Sequence, residues 1–416
     1  MEAQTIAGIA TWGAGSWPGD RGVHHPSSLV GRHGRGSEDD LGRVRAGLET
    51  GEFELHFQPR VNMCTGAILG AEALIRWRHP ERGLLSPGDF LPLIEGGPLV
   101  VELGEWVITR ALAEMERWRE EGIDLPVSIN IDALQLQQAQ FVERLTAILA
   151  AFPGIPASRL ELEVLESRAL EDIAQVSAVI RACSRLGITF ALDDFGTGYS
   201  SLSYLKRLPV DVLKIDQTFV LDMLDDPEDL TILEGILGLA KAFRRQAVAE
   251  GVETVDHGLM LLRLGCQVAQ GFGIARPMPG AEVPDWIAEW RPDPRWTNVS
   301  AVAQAHWPLL YASVEHRAWI SEVENYVHGR SDARPAMDHH HCRFGSWLDA
   351  EASAGRGDHT AFQVMDALHQ QLHGFADGVL NQAIARDRGP AMASLRELLT
   401  LRDGMLERLQ YFVQTL

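Results

Sequence analysis

The chain has 416 residues, 46% of them hydrophobic and 23% charged, with a formal net charge of −20. That acidic balance argues against a general grip on duplex nucleic acid or anionic lipid, which both reward basic surfaces, but not against a small anionic ligand held through cations. No apolar run approaches the roughly eighteen residues of a membrane helix, and the N-terminus lacks a basic start followed by an apolar core, so neither a membrane span nor a secretory signal is expected and a cytoplasmic location follows.

The length predicts about two to three domains. Residues 1–40, which include "GAGSWPGDRGVHHPSSLVGRHGRGS", keep neither a two-residue nor a 3.6-residue period and read as a flexible leader. From 41 to 291 short apolar runs alternate with longer amphipathic ones: "FELHFQPRV", "VSINI", "LELEVL", "TFALDD" and "VLKID" predict strands, whereas "GEWVITRALAEMERWREEG", "IAQVSAVIRACSRLG" and "LTILEGILGLAKAF" predict helices. Such alternation over about 250 residues is the pattern of a (β/α) barrel. The doubly proline-bearing "EWRPDPRW", 289–296, predicts a boundary. Residues 297–416 contain no convincing strand; they read as helices with polar breaks at "HGRSDARP", "SAGRGD" and "ARDRGP", the last opening a helix at Pro390, and so as a four-helix bundle.

Acidic and amide residues stand where the strands of the first region should end: Glu72, Asn130, Glu163, the adjacent Asp193 and Asp194, Glu250 and Glu253. Parallel strands converge on one barrel mouth, where such groups would repel one another without cations. Hard divalent ions take oxygen ligands, and a pair of ions about 3.5–4 Å apart is a common device for phosphodiester hydrolysis. One of the neighbouring aspartates could bridge such a pair. Lys214, one of three lysines among 37 basic residues, could hold an ion-activated hydroxide or stabilise developing charge. Taken singly, each acid reads equally as a solvated turn or helix-end residue. Two acids before a Gly- and hydroxyl-rich turn in "DDFGTGYSS" fit that reading least. Spacing alone points to a metal-dependent barrel enzyme.

Over 41–291 the motifs "FQPRV", "EAL" (72–74), "DDFGTGYSSLSYLKRLPVDVLKID", "AEGVET" and "QGFGIARPMP" follow one another in order, and the region resembles the EAL family of cyclic di-GMP phosphodiesterases. The resemblance implies a modified TIM barrel that hydrolyses cyclic di-GMP to linear pGpG with two Mg²⁺ or Mn²⁺ ions. It assigns Glu72, Asn130, Glu163 and Asp193 to one ion, with Asp193 bridging to a second that Asp194 and Glu250 serve. Lys214 and Gln270 would position the attacking water and Glu250 would accept its proton. Glu166 would anchor the "DDFGTGYSS" loop, which in the family contributes to a homodimer interface. Gln58, Leu74, Arg76, Asp216, Glu253, Arg276 and Pro277 match substrate contacts, the arginine suiting phosphate. Two positions depart from the family pattern: Leu165 replaces a threonine and Asp132 a serine, neither an expected ligand. The full ligand set favours an active enzyme over a nucleotide receptor that has lost catalysis. No segment resembles the domain that synthesises the nucleotide.

The four cysteines, Cys64, Cys183, Cys266 and Cys342, are isolated, so reduced thiols are expected. Only Cys342, in "DHHHCRFGSW", sits among other ligand types. His369 and His373 are four apart, on one helix face, beside the stripe of Phe362, Met365 and Leu372. His316 falls in the seam Leu309, Ser313, His316, Ile320, Val323, Val327. A histidine on a seam needs an interior partner. Three imidazoles and one thiolate suit Zn²⁺; the alternative is that His339 or His341 replaces one of the four. Gly345, one turn past Cys342, would let another helix approach. His316 with Trp319 nearby, "CRFGSW" and "HQQLH" resemble the chemoreceptor zinc-binding domain, often called CZB, which implies a zinc-binding bundle that regulates an attached signalling domain.

Overall fold

The computed structural model describes residues 38–166, 173–198, 202–355, 360–384 and 388–415. Nearly all of the expected leader, and Tyr199 to Ser201 of the loop after "DDFGTG", lie outside them. The described residues pack as two compact units. One comprises the chain up to Gln217 with Gly238–Val255 and Cys266–Thr297, the other Thr218–Leu237, Asp256–Gly265 and Asn298–Leu416.

The first unit is a closed eight-stranded barrel with two short additional strands. Its strands are β1 (Phe53–Asn62), β2 (Ile68–His79), β3 (Gly83–Leu85), β4 (Val127–Asn130), β5 (Leu160–Leu165), β6 (Thr189–Phe195), β7 (Val212–Ile215), β8 (Gln246–Ala249), β9 (Val268–Ala269) and β10 (Met278–Pro279). The ring runs β1-β2-β4-β5-β6-β7-β8-β9, with β3 on β2 and β10 on β1. β1 is antiparallel to β2, β9 and β10, while β2 through β9 around the rest of the ring are parallel. This reversed first strand is the modification of the regular barrel, in which all eight strands are parallel.

Helices α1 (Glu38–Glu49), α2 (Pro98–Glu120), α3 (Phe141–Ala150) and α4 (Ile173–Leu186) belong to this unit. Strand β5 is buried at every residue of "LELEVL". Leu160, Leu162 and Val164 alternate there with Glu161 and Glu163, so one side of the strand is apolar and the other carries carboxylates. Asp132 caps the short helix Ala133–Leu136 through a bond from Leu134 N–H (2.7 Å), a role that aspartate and serine fill about equally well.

Parts of α5 (Pro227–Phe243) and α6 (Val255–Leu264) belong to the second unit with four further helices, α7 (Trp307–His328), α8 (Arg343–Ser353), α9 (Thr360–Ile384) and α10 (Arg388–Thr415). Leu309, His316, Ile320, Val323 and Val327 of the expected α7 seam are buried, and α7 stops at Gly329 in the left-handed region (φ 71°). The nearest neighbour of Gly345 is not the other helix that was expected there. A Cβ there would lie 1.7 Å from the carbonyl oxygen of His339, so the glycine admits the backbone just preceding its own helix. No helix among the described residues is long and apolar enough to cross a membrane.

Candidate functional site

Parallel pairing sets Glu72 opposite Ser128, Asn130 opposite Glu163 and Leu165 opposite Asp193, bringing these polar residues together, although Glu72 stands in the middle of β2 and not at the strand end expected for it. At their centre is Lys214, 1% exposed. Its Nζ lies 2.6 Å from Glu163 Oε2, 2.6 Å from Glu250 Oε1, 3.0 Å from Asp193 Oδ1 and 3.2 Å from Glu72 Oε2. Gln270 Nε2 donates to Glu72 Oε2 (2.6 Å) and Asn130 Nδ2 to Glu72 Oε1 (2.7 Å).

One ammonium cannot neutralise four carboxylates, and the site is electrostatically divided. Burial pushes Glu72 up, but Lys214 and the two amides outweigh it and hold the group below the usual carboxylate range. Burial, reinforced by the neighbouring acids, drives Glu163 and Glu250 well above that range. Asp194 is pushed up to about 8 by burial and by Asp193 and Asp216. The same carboxylates outweigh desolvation at Lys214 and raise it well above an ordinary lysine. Such a cluster is stable as anions only with more positive charge.

Two carboxylate groups have ligand oxygens within 4.8 Å of one another: Glu72, Glu163 and Asp193, and Asp193, Asp194 and Glu250. They share Asp193. Buried Glu163 Oε1 has no hydrogen-bond partner. All the donors are hard oxygens, so the residues fit Mg²⁺ or Mn²⁺. Asp194, next to the shared aspartate, has φ 52°, a left-handed conformation in which a non-glycine residue is strained. Gly196 follows at φ 108°, and its N–H donates to Glu166 Oε2 (2.9 Å). A Cβ on Gly198 would come within 2.8 Å of Glu166 Oε1, so the backbone of the "DDFGTG" turn rests on Glu166.

Gln58, Glu72, Leu74, Arg76, Asp193, Asp194, Glu250, Glu253, Gln270 and Pro277 line one open cleft. Of the other expected contacts, Asp216 lies beside Asp194, and the Arg276 guanidinium sits over the Phe272 ring, 4.5 Å from its centroid. Ser86, Gln217 and Phe272 also line the cleft; of these only Phe272 falls within a motif singled out from the sequence, "QGFGIARPMP". Arg60 was missed as well. Its Nη1 lies 2.6 Å from Glu161 Oε1, in a nearly buried pair whose field reaches Glu163 and Glu72. The signal was available in "FQPRV", where Arg60 shares the strand face of Gln58.

In the second unit His316, Cys342, His369 and His373 bring one ligand atom each within 4.8 Å of the others. Cys342 Sγ is 3.3 Å from His369 Nε2, and His316 Nε2 is 3.4 Å from His373 Nε2. The far nitrogens of two rings are held by backbone carbonyls, His316 Nδ1 by Ala312 (2.7 Å) and His373 Nδ1 by Met337 (3.1 Å), which orients Nε2 inward. Burial lowers His316 to about 4; burial and the neighbouring imidazoles lower His369 to about 2, so both rings are neutral, the ligand form. Burial raises the Cys342 thiol, opposed by the Gly345 N–H that Sγ accepts at 3.2 Å. Three imidazoles and a sulfur within this radius fit Zn²⁺.

Residues 42–277 match the family model of the EAL domain, and residues 316–380 that of the chemoreceptor zinc-binding domain. The chain belongs to the EAL domain family. Its EAL region is 42% identical over 241 residues to the "bifunctional diguanylate cyclase/cyclic di-GMP phosphodiesterase MucR" of Pseudomonas aeruginosa, covering 58% of this chain and 35% of that protein. It is 38% identical over 247 residues to the "cyclic di-GMP phosphodiesterase PdeR" of Escherichia coli, covering 59% and 37%. The chain thus spans little more than a third of the length of these relatives. Among solved structures, the EAL barrel superimposes on "PaMucR phosphodiesterase, c-di-GMP complex" with a TM-score of 0.57 at 41% identity, covering 59% of this chain and 99% of that one.

Proposed function

We propose that the EAL barrel hydrolyses one phosphodiester bond of cyclic di-GMP to give linear pGpG, and that zinc in the helical bundle sets its rate. The observation that carries the hydrolytic reading is the pair of carboxylate groups sharing Asp193 around buried Lys214. In this reading Glu72, Asn130, Glu163 and Asp193 hold one Mg²⁺ or Mn²⁺, and Asp193, Asp194 and Glu250 a second. Such an ion pair lowers the pKa of water and offsets phosphate charge.

The residues supply the rest. Lys214 and Gln270 orient the attacking water, and Glu250, held by Lys214, accepts its proton. Arg76 reaches phosphate with a bidentate fork, while Gln58, Leu74, Glu253 and Pro277 shape the cleft around the nucleotide. Asp216 and Arg276 support the same cleft from beside Asp194 and Phe272. Glu166 keeps the "DDFGTG" turn in register with Asp193 and Asp194. Catalysis is assigned to 41–291 and zinc binding to 297–416, in a cytoplasmic homodimer; sedimentation and cell fractionation test those last two features.

The enzyme assay follows conversion of cyclic di-GMP to pGpG with Mg²⁺ or Mn²⁺. Turnover that falls at least about 100-fold in Asp193→Asn supports the reading; nucleotide bound without turnover under either ion replaces it with a receptor. The regulatory half is tested by comparing zinc-loaded protein with protein treated with a soft-donor chelator that spares Mg²⁺. Equal rates in the two would leave zinc a structural element.

A further inference from the structure

We propose that His339 is a reserve ligand of the zinc centre, taking a coordination place when the Cys342 thiolate leaves it. The inference rests on the reading that His316, Cys342, His369 and His373 hold zinc. It concerns which side chains can occupy that centre, and it separates one member of the "HHH" run from its neighbours.

Two of the three consecutive histidines make exposed carboxylate contacts, although His341 also lines a cavity with His316, Cys342 and His373. His340 is exposed, with Nδ1 2.9 Å from Asp349, and His341 is exposed, with Nδ1 2.7 Å from Asp338. His339 is the half-buried one, and its Nε2 is buried without a hydrogen-bond partner. An unpaired buried imidazole nitrogen is costly unless something else binds it. The same condition is met by Glu163 Oε1 at the barrel ligand groups and His369 Nδ1 in the zinc centre, and also by side chains outside both, such as Gln135 Nε2 and Arg245 Nε.

The ring lies close enough to serve. Its centroid is 5.9 Å from that of His369 and 6.2 Å from that of His373. The proposed ligand rings are themselves separated by 4.6 to 5.5 Å. His339 therefore lies outside the four-residue ligand group but next to two of its rings.

The exchange also has a mechanical basis. His339 lies three residues before Cys342, in a stretch between Gly329 and the start of α8 that forms no regular helix or strand. Its carbonyl oxygen is 3.4 Å from Cys342 Sγ and rests against Gly345. Swinging Sγ out and the imidazole in rotates one short turn and gives up the α8 cap bond that Sγ accepts from the Gly345 N–H (3.2 Å). Sulfur is traded for nitrogen, and both S₁N₃ and N₄ sets suit zinc.

The test is a double-mutant cycle on zinc affinity, read by competition with a chromophoric chelator in the full chain. His339→Ala alone is expected to change the dissociation constant by less than about threefold, because the thiolate holds its place. Cys342→Ala is expected to keep one zinc more weakly, and adding His339→Ala to it to cost at least about tenfold more. Co²⁺ substitution gives a second readout: Cys342→Ala should lose the sulfur charge-transfer band but keep intense tetrahedral d–d absorption, which the double variant loses. Cys342→Ser carries the same cycle if the alanine variant does not fold. Equal effects of His339→Ala in both backgrounds, or loss of zinc from every Cys342 variant with His339 present, would overturn the proposal and leave the four-ligand centre standing. Wild-type protein that binds no zinc would overturn both.

Discussion

An ammonium 2.6 to 3.2 Å from four carboxylates, with 1% exposure, cannot be exchanged for a neutral side chain at small cost. Lys214→Met leaves Glu72, Glu163, Asp193 and Glu250 facing one another without it, and losing one partner of a buried ionic cluster costs about 3–5 kcal/mol. Divalent ions can restore the charge but not the donor held against Glu163 and Glu250. The variant should unfold earlier in urea without added divalent ion, recover much of that loss with Mg²⁺ or Mn²⁺, and still turn over about 100 to 1,000 times more slowly. Wild-type turnover would remove Lys214 from the mechanism. Tyr311 makes a second prediction at this scale. Its hydroxyl donates to Glu234 and its ring lies under the Arg343 guanidinium, 3.8 Å away. Burial, and then Glu234, push the phenol up to about 12 from its ordinary 10. Because the folded value is the higher one, the associated stability is complete below about pH 10 and is lost as pH rises toward 12. Tyr311→Phe cannot ionise, so its urea midpoint should fall less steeply than the wild-type midpoint across that window; parallel curves would show that the phenol carries no such linkage.

At the scale of the elements, helix α8 depends on a residue with no side chain. Cys342 caps it, accepting the Gly345 N–H, while Gly345 lets the His339 carbonyl lie against its first turn. Gly345→Ala would put a methyl 1.7 Å from that oxygen. Either the 339–342 turn or the helix start must move, at a cost of at least about 1–3 kcal/mol. Zinc affinity should fall with the melting temperature, because Cys342 moves with its cap; a variant keeping wild-type affinity would show that the turn yields elsewhere. This contact also marks a limit of reading sequence. The spacing of "CRFGSW" requires something close to Gly345, but whether a helix or the preceding backbone fills the space depends on a turn with no periodic signal. The seam through His316 and the pair His369 and His373 were legible because helical periodicity orients side chains by itself. Asp193, Asp194 and Glu250 were legible as strand-end residues, since period and flanking turns locate strand ends, whereas Glu72 lies in the middle of β2 and not at its end. That Asp193 is common to both groups, that β1 runs against its neighbours, and that Arg60 pairs with Glu161 all depend on which strands become neighbours. No local window of sequence carries that information.

At the scale of the whole chain, two divisions compete. The prolines of 289–296 divide the chain near 297, whereas packing joins Thr218–Leu237 and Asp256–Gly265 to Asn298–Leu416. The Tyr311 hydroxyl on Glu234, the Arg317 Nη1 bond to Leu224 O (3.3 Å) and the Val302 N–H bond to Arg263 O (2.8 Å) belong to that joined unit. If it opens cooperatively, a ligand bound anywhere within it protects every amide that exchanges only through its opening. Zinc at 100 times its dissociation constant would stabilise the closed form by about 2.7 kcal/mol, close to a hundredfold slower exchange. Native-state hydrogen exchange with and without zinc should therefore show slowing in 227–237 and 256–265 as well as in α7 to α10, while the amides of β4 to β6 stay unchanged. Slowing confined to residues after 297 would mean that the prolines, and not the packing, set the limit of cooperativity. Slowing in the two earlier segments would give zinc a physical route to the helices that precede and follow β8, the strand leading to Glu250.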